Sequence, residues 1–139
     1  MEILKKIVVI FFFVFLLFAC NQNIVSYEYV GGSENWKAVY KSEVQYLKNG
    51  DTRIENELTI TYLDEDKKLS SRTEIEITYK IGARSGSEIF YVEKLSEASE
   101  IESGSATVNA AILTGNEIGI ITVAWDGIFE EFEIKSTKE

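Results

Sequence analysis

The sequence predicts an all-β domain: a single seven-stranded antiparallel β-sandwich of immunoglobulin-like architecture, with a small β-barrel as the alternative. Three observations carry this expectation. From Trp36 onward apolar residues recur with a period of two, the spacing of a half-buried strand. Turn signals interrupt the chain at short intervals. The 139 residues contain no proline, so long strands meet no obligatory break. No segment carries a convincing helical pattern, a helical turn over 95–101 being the nearest.

Asn21, Gln22 and Asn23 open a polar segment that ends in Gly31-Gly32, with a weak apolar pattern at Ile24-Val25 and Tyr27-Glu28-Tyr29-Val30. It reads as a tether over 20–33, with at most an edge strand near 27–30. In the first clear strand Trp36, Ala38, Tyr40, Ser42, Val44 and Tyr46 share one face against Lys37, Lys41, Glu43 and Gln45; Val39 and Leu47 are the exceptions on the polar face. Lys48-Asn49-Gly50 is a turn signal, and the next strand sets Ile54, Leu58, Ile60 and Tyr62 against Arg53, Glu55, Glu57, Thr59 and Thr61. A two-residue Asn49-Gly50 loop would oppose Val44 to Glu55 and Tyr46 to Arg53, placing charge on the apolar face. A three-residue loop, with Gly50 at positive φ, opposes Val44 to Ile54 and Tyr40 to Leu58. The second register is expected, because a slip of one residue turns every side chain to the wrong side.

Asp64-Glu65-Asp66-Lys67-Lys68 is a charged turn, after which Thr73, Ile75, Ile77, Tyr79 and Ile81 alternate with Arg72, Glu74, Glu76, Thr78 and Lys80. Residues 82–87 read as a loop. Residues 88–95 read as a strand with Ile89 and Tyr91 on one side and Phe90 and Val92 on the other, the two-faced apolarity of a central strand. The Ser/Glu-rich stretch 96–105 reads as a loop, 106–113 as a weaker strand of small residues, and Thr114-Gly115-Asn116 as a turn. The closing hairpin is the strongest local signal. Residues 118–125 lead into the tight pair Asp126-Gly127 and then 128–134, pairing Trp125 with Ile128, Val123 with Glu130 and Ile121 with Phe132.

Ahead of all this, Lys5-Lys6, the twelve apolar residues from Ile7 to Phe18, and the small Ala19 before the only cysteine, Cys20, follow the order of a secretory signal. A spanning helix needs roughly 20 apolar residues, whereas this run ends at Cys20, so cleavage is expected and an uncleaved anchor comes second. Leu17-Phe18-Ala19-Cys20 resembles the lipobox of bacterial lipoproteins: Leu17, Ala19 and Cys20 match the pattern, while Phe18 is bulkier than the residue it carries there. The resemblance implies cleavage between Ala19 and Cys20 and a diacylglyceryl group on the Cys20 sulfur. It also implies a cell-membrane protein anchored by lipid at the extracytoplasmic face. Two acyl chains at about 0.8 kcal/mol per buried CH₂ anchor durably where one chain binds reversibly. The expected division is a signal peptide over 1–19, a lipidated tether over 20–33 and the β-domain over 34–139.

The 120 residues beyond Ala19 suffice for one domain. They carry 12 Lys and Arg against 22 Asp and Glu, a formal charge of −10. Such acidity argues against a nucleic-acid partner and against attraction to anionic head groups; its plainest meaning is solubility. The absence of histidine removes the commonest metal ligand and the usual general base near neutral pH. Zinc hydrolysis, Ser-His-Asp and Cys-His chemistry each lose a required part. With Cys20 lipidated no cysteine is left for a disulfide, so the fold rests on apolar burial and hydrogen bonds.

Glu130, Glu131 and Glu133 suggest the carboxylate pair of a glycoside hydrolase, whose members stand roughly 5 to 9 Å apart. Glu131 and Glu133 share a solvated face, however, and Glu130 on the apolar face is expected to have a raised pKa or to turn out to water. Asp64, Glu65 and Asp66 offer oxygen ligands for Ca²⁺ but lack EF-hand spacing and run into Lys67-Lys68, so a solvated turn is the default. Trp36 and Trp125 are candidate platforms for a sugar or peptide; their place on apolar faces makes core packing the default. The serines of 96–105 have no basic partner for nucleophilic chemistry.

Ser33-Glu34-Asn35-Trp36-Lys37 and the hairpin Ile121-Thr122-Val123-Ala124-Trp125-Asp126-Gly127 resemble segments of small lipoproteins of Gram-positive bacteria that have no established activity. The resemblance implies a shared domain type and supplies no catalytic residue. The expectation is a non-catalytic binding module that presents loops or a sheet edge to an envelope protein or cell-wall partner. No cofactor or metal is expected. The alternatives are a barrel carrying a small ligand in an apolar cavity lined by Tyr and Ile, and a carboxylate-based hydrolase.

Overall fold

Eight antiparallel strands make one continuous sheet in the computed structural model, which describes residues 23–64, 72–93 and 99–138. In chain order they are β1 (Ile24–Gly32), β2 (Trp36–Tyr46), β3 (Thr52–Tyr62), β4 (Thr73–Ile81), β5 (Arg84–Val92), β6 (Glu100–Val108), β7 (Ile118–Trp125) and β8 (Ile128–Ser136). Across the sheet the order is β5-β4-β7-β8-β1-β2-β3-β6.

A sheet this wide, twisted and apolar on one face buries that face by curling onto itself. The bend falls at β1–β8. There only Tyr29–Ser136, Val30–Lys135 and Gly31–Ile134 pair, whereas β1 pairs with β2 along its whole length. The two halves then meet inside the curl. Trp36 of β2 packs edge-on against Trp125 of β7 at 5.2 Å between ring centroids, and Tyr40 of β2 lies 5.6 Å from Tyr79 of β4. A single cluster of buried side chains, including Tyr29, Ile60, Ile75, Ile121 and Ile134, fills the space between them. Each such residue contributes on the order of 1.5–3 kcal/mol by leaving water.

Both hairpin registers follow the alternation. Val44 opposes Ile54 and Tyr40 opposes Leu58; the loop is closed by the Leu47 N–H donating to the Asp51 carbonyl at 2.8 Å, with Gly50 at φ 88°. Trp125 opposes Ile128 and Ile121 opposes Phe132, through a turn in which Asp126 and Gly127 both take positive φ.

One end of the curl is plugged by Leu113, buried from the β6–β7 connection, and held by Glu117. Desolvation pushes the Glu117 carboxyl up, but hydrogen bonds from the Thr114 N–H and the Tyr29 hydroxyl, with further bonds from its own N–H and the Thr114 hydroxyl, outweigh it and bring the pKa down to about 2. The Tyr29 hydroxyl is pushed up in turn, by burial first and by Glu117 second. A carboxyl depressed in the folded state stabilises above its unfolded pKa and loses that stabilisation as pH falls toward its folded one. Glu117→Gln is therefore expected to lower the urea midpoint at pH 7, by about 1 kcal/mol in stability, and to flatten the acid limb between about pH 4.5 and 2.

Several expectations are corrected, among them the 82–87 loop, since β5 already begins at Arg84. There are eight strands rather than seven, in one curled sheet rather than a seven-stranded sandwich. Nor is the sheet a closed barrel, since β5 and β6 end it without a ladder between them. Residues 24–32, expected as tether with an edge strand at most, form an interior strand between β8 and β2; Tyr27 and Tyr29 turn inward, but Gly31 stands where an apolar side chain would complete the pattern. The 88–95 segment was expected at the sheet centre, yet β5 is an edge whose Ile89 and Tyr91 stay in solvent, Arg72 stacking on the Tyr91 ring at 4.9 Å. Residues 100–105 belong to β6 rather than to a loop. Among the described residues this edge strand pairs only with β3, and it buries only Ile101, so it needs almost no apolar pattern. Residues 109–113, expected as part of a strand, lie in the connection to β7.

Candidate functional site

The terminal strands β5 and β6 face one another across a gap, and the polar side chains on the inner wall of the sheet converge there. Arg84 opens β5 directly after the Gly82-Ala83 turn and reaches across the gap. Its Nε donates to the Ala111 carbonyl at 2.6 Å, and its Nη1 to Ser42 Oγ at 3.0 Å and Asn56 Oδ1 at 2.7 Å. Ser103 of β6 donates to the Glu88 carboxylate of β5, and Asn56 Nδ2 to Ser105 Oγ at 3.4 Å. The seam is thus spanned by the Arg84 and Ser103–Glu88 side-chain bonds instead of main-chain bonds, while Asn56–Ser105 lies within the β3–β6 ladder.

Two buried donors there have no acceptor among the described residues: the Tyr40 hydroxyl and Arg84 Nη2. Burial pushes the Tyr40 phenol up, and the neighbouring Arg84 guanidinium opposes part of that push without forming a well-directed hydrogen bond. A guanidinium held by neutral acceptors, with no carboxylate in ion-pair reach among the described residues, suits an incoming polar acceptor. The crevice beside Tyr40, lined also by Asn56, Leu58, Tyr79, Glu88, Ser103 and Ser105, holds about 10 Å³.

On the outer face, next to the same edge, lies an open trough of about 700 Å³ over β2, β3 and β6. Its charged residues are Lys41, Glu43, Glu55, Glu57 and Glu102, and its floor along β6 is Gly104 and Ala106. Glu43 stands directly opposite Glu55, a like-charge pair that costs stability. Arg53, 2.7 Å from Glu55, relieves it in part.

The candidates taken from sequence fare as follows. Ala19 and Cys20 lie outside the described residues, as do Glu65 and Asp66 of the acidic turn. Trp36 and Trp125 are core residues, 0% and 6% exposed. Glu130 turns back onto the β1–β2 loop, accepting from Ser33 Oγ, Asn35 Nδ2 and, at 3.3 Å, the Asn35 N–H. Glu131 accepts from Thr122 and Glu133 pairs with Lys135, so the three glutamates serve three separate neighbours. Among the described residues no three Asp, Glu or Cys side chains gather as a metal site. Arg84 and Tyr40 escaped the sequence reading. The available signal was one arginine after a Gly-Ala turn in a chain short of basic residues. No protein family model matches this chain, and no curated protein is significantly similar to it in sequence.

Proposed function

We propose that the chain is an extracytoplasmic lipoprotein held on the cell membrane through Cys20, and that its domain is a non-catalytic module which docks a protein or cell-wall partner along the β6 edge. The observation that carries the docking reading is the seam without a ladder: a nine-residue strand whose outer main-chain groups pair with no strand among the described residues, flanked by donors without acceptors among them. A free edge of this length is a template for strand pairing, and proteins that do not use such an edge normally cover it.

The anchor reading rests on Leu17-Phe18-Ala19-Cys20. Because β1 begins at Ile24, only residues 21–23 separate Cys20 from the sheet, a reach of at most about 14 Å. The domain then sits directly on the bilayer with the 47–51 loop and the 109–117 connection toward it. The β6 edge rises from the surface. Cys20→Ser is expected to move the protein from the membrane to the soluble fraction, and mass spectrometry of the wild type to find a diacylglyceryl cysteine as residue 20 after cleavage. An unmodified, uncleaved chain in the soluble fraction of its host would contradict the anchor.

The two alternatives have less support. A carrier needs an interior cavity on the order of 300 Å³, far above the 10 Å³ beside Tyr40. A carboxylate hydrolase needs paired acids in a cleft, and Glu130, Glu131 and Glu133 diverge.

A further inference from the structure

We infer that the occupant of the β6 edge is an extended cationic segment in which basic residues alternate with short hydroxyl-bearing ones, added as a ninth strand. The inference rests on reading β6 as the docking edge and specifies what binds there.

The two faces of β6 ask for different side chains. Glu102, Gly104 and Ala106 line only the acidic trough outside, while Ser103 and Ser105, at the edge between the faces, line both the trough and the crevice inside. Gly104 stands directly opposite Glu57 of β3, and Ala106 opposite Glu55. Neither carries a side chain long enough to screen those carboxylates from the edge. Strands lie about 4.8 Å apart, so β3 is roughly 9.6 Å from an added strand. A lysine or arginine arm reaching inward over Gly104 closes that distance against an outstretched glutamate. Two such arms would also offset the Glu43–Glu55 opposition, which the fold carries at a cost.

The inner face supplies an independent constraint. Tyr40, 1% exposed, presents its hydroxyl to the crevice lined by Ser103 and Ser105 and finds no acceptor among the described residues; Arg84 Nη2 beside it is in the same condition. Both are donors, and the Glu88 carboxylate lining the same crevice is an acceptor held by Ser103, so the inward side chains of the added strand should be hydroxyls, which can accept from the first two and donate to the third. The roughly 10 Å³ available has room for about one water-sized group, the size of a hydroxyl. Successive residues of a strand point to opposite faces, and the two requirements therefore alternate. As the segment enters, the Ser103–Glu88 hydrogen bond opens and main-chain bonds along β6 replace it.

The test uses the full chain in detergent micelles, titrated with acetyl-(Lys-Thr)₄-amide and followed by amide chemical shifts. Three controls accompany it: acetyl-(Glu-Thr)₄-amide, acetyl-(Lys-Pro)₄-amide, which keeps the charge but loses alternate N–H donors, and the variants E55Q/E57Q and Y40F. Shifts should concentrate in 100–108 and the adjoining β3. Kd should rise about tenfold for the proline peptide and for E55Q/E57Q, and about threefold for Y40F, with thermal unfolding of the variants close to wild type. Equal binding of the proline or glutamate peptide overturns the inference, as does the absence of binding. Shifts confined to another surface, such as the strongly exposed Phe129, also overturn it while leaving a docking module in place; a membrane assay on Cys20→Ser reports separately on the anchor.

Discussion

Trp36→Ala is expected to destabilise the domain by about 4 kcal/mol, enough to leave a marginal protein largely unfolded at 37 °C. Trp36 is fully buried at the head of β2 and joins the two halves of the curled sheet. Its ring lies 5.0 Å from Tyr62 in its own half and 5.2 Å from Trp125 in the other. Truncation opens a void between surfaces that main-chain ladders hold apart, so little collapse can offset it. The indole Nε1 has no acceptor among the described residues, so Trp36→Phe is expected to cost only about 1 kcal/mol. Urea unfolding followed by far-UV circular dichroism measures both. A loss under 1 kcal/mol for Trp36→Ala would mean that the two halves do not close over this residue.

Gly31→Ala comes next, at about 3 kcal/mol. A Cβ at Gly31 would press on the Glu133 carbonyl oxygen and lie 2.9 Å from its carbon and 3.0 Å from Ile134 Cα. Every obstacle is backbone, so no side chain can swing aside. The clash falls on β1–β8, the short three-pair junction at which the sheet bends. Gly104→Ala is the control: its Cβ would meet only the Asn56 carbonyl oxygen, at 3.6 Å, and stability should stay within about 0.5 kcal/mol of wild type. If the two variants unfold alike, β1 and β8 are not joined in this register.

What could be read in advance followed from burial. Where one strand face is buried and the other wet, as in β2, β3, β4 and the β7–β8 hairpin, alternation settled the strands, and matching apolar faces settled registers to the residue. The same logic placed both tryptophans in the core. Edge strands left weaker marks. β6 buries only Ile101, so its serines and glutamates looked like a loop, and β5 exposes Ile89 and Tyr91, which looked like central-strand residues. The seam was illegible for a related reason. Arg84, Tyr40, Ser42 and Asn56 come from three strands that meet only once the sheet curls, and no local pattern announces a curl. Glu130 shows the limit of a pattern argument: its place on the apolar face was predicted, but its engagement with Ser33 and Asn35 depends on a loop far away in sequence.

The most direct test of the central claim, that β6 is an unpaired edge facing an open seam, is residue-resolved amide hydrogen exchange on the full chain. Alternate amides of Glu100–Val108 should be protected by β3 while those between them, pointing into the seam, exchange orders of magnitude faster. Uniform slow exchange along β6, accompanied by matching protection of β5, would show that the two strands pair, that the sheet is a closed barrel, and that no docking edge exists.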